Sequence, residues 1–399
     1  VPEGILRCIV PAAPAAWIKA LELYGTMTFG EVAAAAINLA RDGFAMYALM
    51  AELLGEKAEK YARWPASAEI YIPGGKSPQV GENFRQEDLG RSLQYMADCE
   101  AASGGDRIAG LQAARDAFYK GDIAQKISAY HQENGGLIRM EDLAGFEVEV
   151  EDALSVNVAG TRIYSCGPWC QGPMLLQMMQ LLEGQNLAGM GHNSAAYIHH
   201  VTEAVKLAVA DRERWYGDPR FVDVPMERLL SNDYAAQRRA MIDPDKAWPE
   251  MPPSGDPHAA RPVPSPTPLT AMDTSYTCAI DAKGNIFSAT PSDTSSDGPV
   301  IPGLGFVPSS RGSQSRPNPQ HPSSIEPGKR PRLTPNPAIA IRPSEWALPL
   351  GTPGADVQCQ AMAQTLLNID AFGMNPQMAV EAPRFASYSF PQSFAPHAY

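Results

Sequence analysis

Cysteine is scarce in this chain: six thiols are spread over 399 residues and no Cys-x-x-Cys pair occurs, so a disulfide framework is excluded. The nearest two, Cys166 and Cys170, flank Gly167-Pro168-Trp169. They lack the His or acidic partners that zinc needs at set spacings, so they read as ordinary buried or loop thiols and no metal is expected. Positive charge is also short, with 32 Lys and Arg against 44 Asp and Glu, a formal net charge of -12. That balance repels nucleic-acid phosphates and anionic lipid surfaces, which leaves a small molecule as the expected partner, with no nucleic acid and no membrane. Long apolar runs are missing too: even Val32 to Leu54 carries Arg41, Asp42 and Glu52, well short of the roughly 20 apolar residues a bilayer span requires. No basic-then-apolar leader stands at Val1, and the compartment stays open between cytoplasm and periplasm, with the cytoplasm preferred.

What is present is enough apolar residue, 44% of the chain, to fill one large core or two smaller ones. Helical spacing runs from Ala15 to about Leu54 with a break at Gly25 and Thr28, then through Leu89–Ala101 and Arg107–Glu133 to a stop at Asn134-Gly135-Gly136. The period then changes to two: Phe146, Val148 and Val150 alternate with glutamates, and Val156, Val158, Ile163 and Tyr164 follow around Gly160, which predicts strands of a half-exposed sheet. After a turn at Gly167–Gly172, helices are predicted over Met174–Leu182 and Ala195–Trp215. Residues 251–268 are too rich in proline for helix or central strand and read as an exposed connector. Beyond it, Tyr276–Ile280 and Asn285–Ala289 around Asp281-Ala282-Lys283-Gly284 spell a hairpin; Pro337–Ile341 and Ala347–Leu350 read as strands and Gln358–Phe372 as a helix.

A connector that feeds directly into Asp273-Thr274-Ser275 is what an autocleaving enzyme needs. Once the bond before Thr274 is cut, its hydroxyl and its own alpha-amine sit on one residue, and an amine with a reference pKa of roughly 7.7 to 8 can take the hydroxyl proton. Local pattern alone favours a plain β-branched residue at a strand start. Gly351-Thr352-Pro353-Gly354-Ala355-Asp356, between a strand and a helix, could turn backbone N–H groups toward an oxyanion, or could be an ordinary tight turn. His199 and His200 are adjacent on one helix and face apart, so they read as structural. The run Gly328-Lys329-Arg330-Pro331-Arg332 reads as a solvated or substrate-facing loop, and Ser309 to Arg316 offers hydroxyls, an amide and the two guanidinium groups of Arg311 and Arg316, suited to a carboxylate, or a plain polar loop.

Several segments together resemble the gamma-glutamyltransferase family of N-terminal-nucleophile hydrolases. They include Tyr24-Gly25-Thr26-Met27, Leu39 to Phe44, Phe118-Tyr119-Lys120-Gly121, Gly135 to Ile138, Glu141-Asp142-Leu143, Tyr216-Gly217-Asp218-Pro219, Thr274-Ser275-Tyr276, Gly328 to Pro331, Gly351 to Gly354 and Glu381 to Phe385, in the family's order and over nearly the whole chain. The resemblance implies an α+β fold, a four-layer αββα sandwich. It also implies a zymogen cut into a large portion, 1–273, and a small one, 274–399, that stay together, with a dimer of such units compatible. Thr274 is then cleavage site and nucleophile, Ser292 the second hydroxyl near the freed amine, and Gly354 with Ala355 the oxyanion pair, Ala355 standing for a glycine. Thr294, Ser313, Gln314 and Thr334 fall on substrate positions but are changed: Thr294 for an asparagine, Ser313-Gln314 for two aspartates, Leu333-Thr334 for two serines. The family's carboxylate-binding arginine would precede Val1, and both ends of the chain are expected to be incomplete. Three readings follow: transfer or hydrolysis of a gamma-glutamyl amide such as glutathione, the same machinery on an oxamate-like or N-acyl amide, or an inactive binding homologue. Acyl transfer through a threonine ester calls for no cofactor.

Overall fold

The computed structural model describes residues 1–256 and 274–397; residues 257–268 of the expected connector, and Asp273, lie outside them. Packing divides the chain into two units, Val1–Val150 with Asp293–Ser313, and Glu151–Ser292 with Gln314–Tyr399. These packing boundaries differ from the division expected at Thr274. Among the described residues no helix is long and apolar enough to cross a membrane.

The first unit is built on helices α1 (Ala13–Tyr24), α2 (Phe29–Asp42), α3 (Glu87–Ala102), α4 (Arg107–Tyr119) and α5 (Asp122–Glu133). The expected break between the first two has a local cause. Thr28 caps α2 by accepting from Glu31 N at 3.2 Å while the Glu31 carboxylate accepts from Thr28 N at 2.8 Å, a reciprocal capping box. The Glu100 carboxylate on α3 accepts from Phe29 N and Gly30 N, each at 2.7 Å, and so satisfies two further N–H groups at the start of α2. Phe29, Ala33, Ile37, Met96, Leu111, Phe118 and Ile127 form its core. The strand expected at Phe146–Val150 is not formed: the segment has no ladder partner among the described residues. Arg115 occupies it instead, donating to Phe146 O and, at 2.8 Å, to the Glu147 carboxylate, while Phe146 and Val148 pack on the helical core. The alternation was real but served a helix surface.

The main sheet of the second unit is antiparallel and joins β1 (Leu154–Val158) and β2 (Thr161–Ser165) with, from after the connector, β5 (Ala338–Arg342) and β6 (Trp346–Leu350), in the order β1-β2-β5-β6. The register sets Val156 opposite Ile163 and Ala340 opposite Leu348. The apolar positions Val156, Val158, Ile163, Ala338 and Ala340 pack against α6 (Gly172–Leu182), α7 (Ala195–Trp215) and α8 (Gln358–Asp370). Every residue of α6 is buried, and its two polar members are hydrogen-bonded inside: Gln177 Nε2 donates to the Asp211 carboxylate at 3.2 Å and Gln180 Nε2 to Leu230 O at 2.9 Å. The hairpin of β3 (Thr277–Ile280) and β4 (Ile286–Ala289) is where the sequence predicts it, its turn closed by Asp281, whose carboxylate accepts from Lys283 N and Asn285 N.

Candidate active site

The hairpin register positions the expected nucleophile. Its last ladder pair is Thr277 opposite Ala289. Three residues further out, antiparallel geometry sets Thr274 opposite Ser292. The chain holds that register beyond the ladder: Ser275 N donates to Pro291 O at 3.1 Å, and the Thr274 and Ser292 hydroxyls lie 2.8 Å apart. Thr274 is 8% exposed. The hairpin is anchored to the main sheet through Ser288, which donates to Ala338 O at 3.0 Å and meets the Tyr276 hydroxyl at 2.9 Å. Gly351 has to be glycine, since any side chain there would overlap the Tyr276 ring.

The loop after β6 turns left-handed at two successive residues, Gly354 with φ 118° and Ala355 with φ 51°. Its carbonyls are held: Gly354 O accepts from Val357 N at 2.9 Å and Ala355 O from Gln171 Nε2 at 2.8 Å. A β-carbon in the left-handed region costs roughly 1–2 kcal/mol. Replacing Ala355 by glycine, after the added freedom of the unfolded chain is subtracted, is expected to raise the unfolding free energy by about 0.5–1 kcal/mol in urea titration. A loss instead would mean that the alanine methyl contributes packing.

Gln171 was missed by sequence reading. It is 1% exposed, and its amide nitrogen serves two carbonyls at once, Ala355 O and, at 2.6 Å, Thr334 O. It therefore ties the expected oxyanion loop to the loop that carries Thr334. Its amide oxygen accepts from Arg212 at 3.3 Å, and fully buried Arg212 also donates to the Asp356 carboxylate at 2.5 Å. Asp356 in turn accepts from Ser393 N at 2.8 Å and Ser393 Oγ at 2.6 Å. Beside this sits Glu213, whose carboxylate meets Arg316 at 2.9 Å, Arg332 at 2.6 Å and Arg212 at 3.2 Å. Burial pushes the Glu213 carboxyl up, but the surrounding Arg316 and Arg332 charges, a bond from His321 and Arg212 hold it well below the usual carboxylate range. The run 328–332 turns from solvent into the core along its length: Gly328 is exposed, Arg330 is partly buried and pairs with Glu151 at 2.8 Å, and Arg332 is 2% exposed. His199 and His200 bond the backbone carbonyls of Asp243 and Ala196.

Of the expected substrate residues, Gln314 and Thr334 belong to the second unit with Thr274, Ser292, Gly354 and Ala355; Gln314 Nε2 donates to Thr334 Oγ1 at 3.3 Å and both residues are buried. Thr294, Arg311 and Ser313 belong to the first unit. There the Thr294 hydroxyl meets Ser310 Oγ at 2.8 Å, and the Asp293 carboxylate accepts from Thr294 N, Ser310 N and Ser310 Oγ. Ser313 N donates to Ser310 O. Arg311 is 3% exposed, and its burial lowers its basicity against the opposing pull of Asp293 and Asp297. Asp293 is an acidic group that sequence reading passed over, although it directly follows Ser292.

Comparison with known proteins was made on this geometry. The profile of the gamma-glutamyltranspeptidase family matches residues 2–395. An acylase ACY 1 proenzyme of Pseudomonas sp. (strain SE83) is 33% identical over 386 residues, 96% of this chain and 64% of its own length. A glutathione hydrolase proenzyme of Pseudomonas sp. (strain A14) is 30% identical over 411 residues, 98% of this chain and 66% of its own. The chain thus spans somewhat less than two thirds of these relatives. The crystal structure of a cephalosporin acylase from Bacillus halodurans superposes with a TM-score of 0.82 at 26% identity, over 96% of this chain and 67% of that one. The fold is accordingly α+β, the four-layer αββα fold of the N-terminal-nucleophile hydrolases, as the resemblance implied. By profile and relatives alike, this chain belongs to the gamma-glutamyltranspeptidase family.

Proposed function

We propose that this protein is an autoprocessing threonine-nucleophile amidohydrolase or acyltransferase acting on small amides. The observation that carries the reading is the Thr274–Ser292 hydroxyl pair, 2.8 Å apart at the open end of a hairpin anchored to the main sheet. In this reading Thr274 Oγ1 attacks the substrate carbonyl and the freed alpha-amine of the same residue takes its proton. The tetrahedral oxyanion is met by N–H groups of Gly354 and Ala355. Collapse expels the amine leaving group, protonated by the same alpha-amine, and water or an acceptor amine then releases the acyl group from the threonine ester. The portions before and after the cut act as one enzyme, in which a dimer is compatible.

Two donor classes fit. The family's own name and the glutathione hydrolase relatives support a gamma-glutamyl amide. The acylase relatives support an amide without the glutamyl ammonium, and so does the local chemistry: Ser313 and Gln314 bring no negative charge, and the Gln314 amide is engaged with Thr334. A carboxylate that held the ammonium would contribute about 1.5–3 kcal/mol, roughly 10- to 150-fold in kcat/KM. The test compares gamma-glutamyl-p-nitroanilide with glutaryl-p-nitroanilide, which lacks the alpha-amine. Values within about tenfold of each other are expected and assign the acylase class. A larger preference for the glutamyl compound assigns the gamma-glutamyl class, and turnover of neither, oxamate included, sinks the enzymatic reading.

A further inference from the structure

The turn at 167–172 carries a second chemical group besides Gln171. Cys166 is partly exposed and Cys170 fully buried, and their sulfur atoms lie 2.9 Å apart, across a turn closed by Cys170 N donating to Gly167 O. The turn runs beside residues 333–335 and is tied to each of them. Leu333 N donates to Trp169 O at 2.9 Å, Gln171 Nε2 to Thr334 O at 2.6 Å, and the Cys170 thiol to Pro335 O at 2.8 Å. The middle tie is one prong of the Gln171 contact that reaches Ala355. A thiol pair whose sulfurs lie 2.9 Å apart is therefore built into the support of two loops expected to meet substrate and oxyanion.

We propose that Cys166 and Cys170 form an oxidisable dithiol whose conversion to an intramolecular disulfide lowers turnover by releasing the Pro335 tie. The co-reactant is a small-molecule disulfide. The Cys166 thiolate attacks one of its sulfurs and expels a thiolate, giving a mixed disulfide; Cys170 then attacks Cys166 Sγ, expels the second thiol and loses its proton to the first leaving group. Two protein thiols are oxidised and one external disulfide is reduced to two thiols. Cys166 is suited to the first step by its exposure. In the product the sulfurs close to about 2.05 Å. The Cys170 S–H that served Pro335 O is gone, and the segment bearing Thr334 keeps two of its three ties. The modification itself stands on the thiol geometry, whereas its effect on turnover rests on the acyl-transfer reading.

The experiment incubates purified protein with hydroxyethyl disulfide, maps the products by peptide mass, and follows kcat/KM before oxidation, after it, and after return to reducing buffer. The expected result is a mass loss of two hydrogens located to the Cys166–Cys170 peptide. A reversible fall of about fivefold in kcat/KM should accompany it, the scale of one lost neutral hydrogen bond. Cys166→Ser should keep reduced activity and lose both responses, and Cys278→Ser, which removes an exposed thiol on β3, should keep both. Failure of the disulfide to form while Cys278 takes up the reagent overturns the proposal. So does a disulfide that forms and leaves kcat/KM unchanged. Protein that is inactive before any oxidation fails the acyl-transfer reading instead, and the mass map then still decides whether the dithiol oxidises.

Discussion

Thr274→Ala is expected to emerge from expression as a single uncut chain and to turn over no amide, with kcat/KM lower than that of the cleaved protein by at least about 10⁴-fold. Both effects have one cause. In the proposed mechanism the hydroxyl that lies 2.8 Å from Ser292 Oγ is the nucleophile of the cleavage step and of the acyl-enzyme step, and alanine has none. Intact mass gives the first result directly: wild type should show two chains meeting between Asp273 and Thr274, the variant one. Thr274→Ser should restore cleavage, because it returns the oxygen without the methyl. An alanine variant that still cleaves at that bond would move the nucleophile elsewhere and remove the basis of the proposed mechanism.

Glu213→Gln is expected to destabilise the fold by about 3–5 kcal/mol at neutral pH, the scale seen when one partner of a buried ion pair is removed. Arg212, Arg316 and Arg332 all converge on this carboxylate, and its side chain is only 9% exposed. Glutamine keeps the shape and leaves three guanidinium groups short of their shared counter-charge. The effect should depend on pH in a definite direction. The folded carboxyl titrates below its unfolded value, so its stabilisation is fully present above the ordinary glutamate pKa and is lost as pH falls through the folded value. The wild type should therefore lose its advantage over the variant as the solution becomes acid, below about pH 4.3. Equal urea midpoints at pH 7 would show that the arginines find other partners. Because Arg212 also supports Gln171 and Asp356, kcat should fall along with stability.

Much of this was legible in the sequence because its causes are local. Thr28 with Glu31 spells a capping box and Asp281 to Gly284 spells a turn, and the observed hairpin register brings Ser292, which the resemblance pointed to, opposite Thr274. What stayed hidden was decided by residues far along the chain. Lys329-Arg330-Pro331-Arg332 has the composition of a solvated loop, and the Glu213 carboxylate with the Arg212 carbonyl, over a hundred positions earlier, makes Arg332 a core residue. Phe146, Val148 and Val150 alternate as a strand would, yet a strand also needs a partner, and here Arg115 takes the backbone carbonyl. Gln171 carries no motif, since bridging two carbonyls from distant loops is a property of their meeting point. Ala355 showed a residue change without showing that its backbone would keep the glycine conformation.

The two packing units have an ancestry in the chain that the proposed cut does not respect. The first combines Val1–Val150 with Asp293–Ser313, and the second combines Glu151–Ser292 with Gln314–Tyr399, so a break before Thr274 leaves each unit woven from both polypeptides. Neither product owns a complete core. Their partnership is then less an equilibrium between subunits than a continuation of folding: dilution has no surface to pull apart, and the fragments part company only when both units unravel.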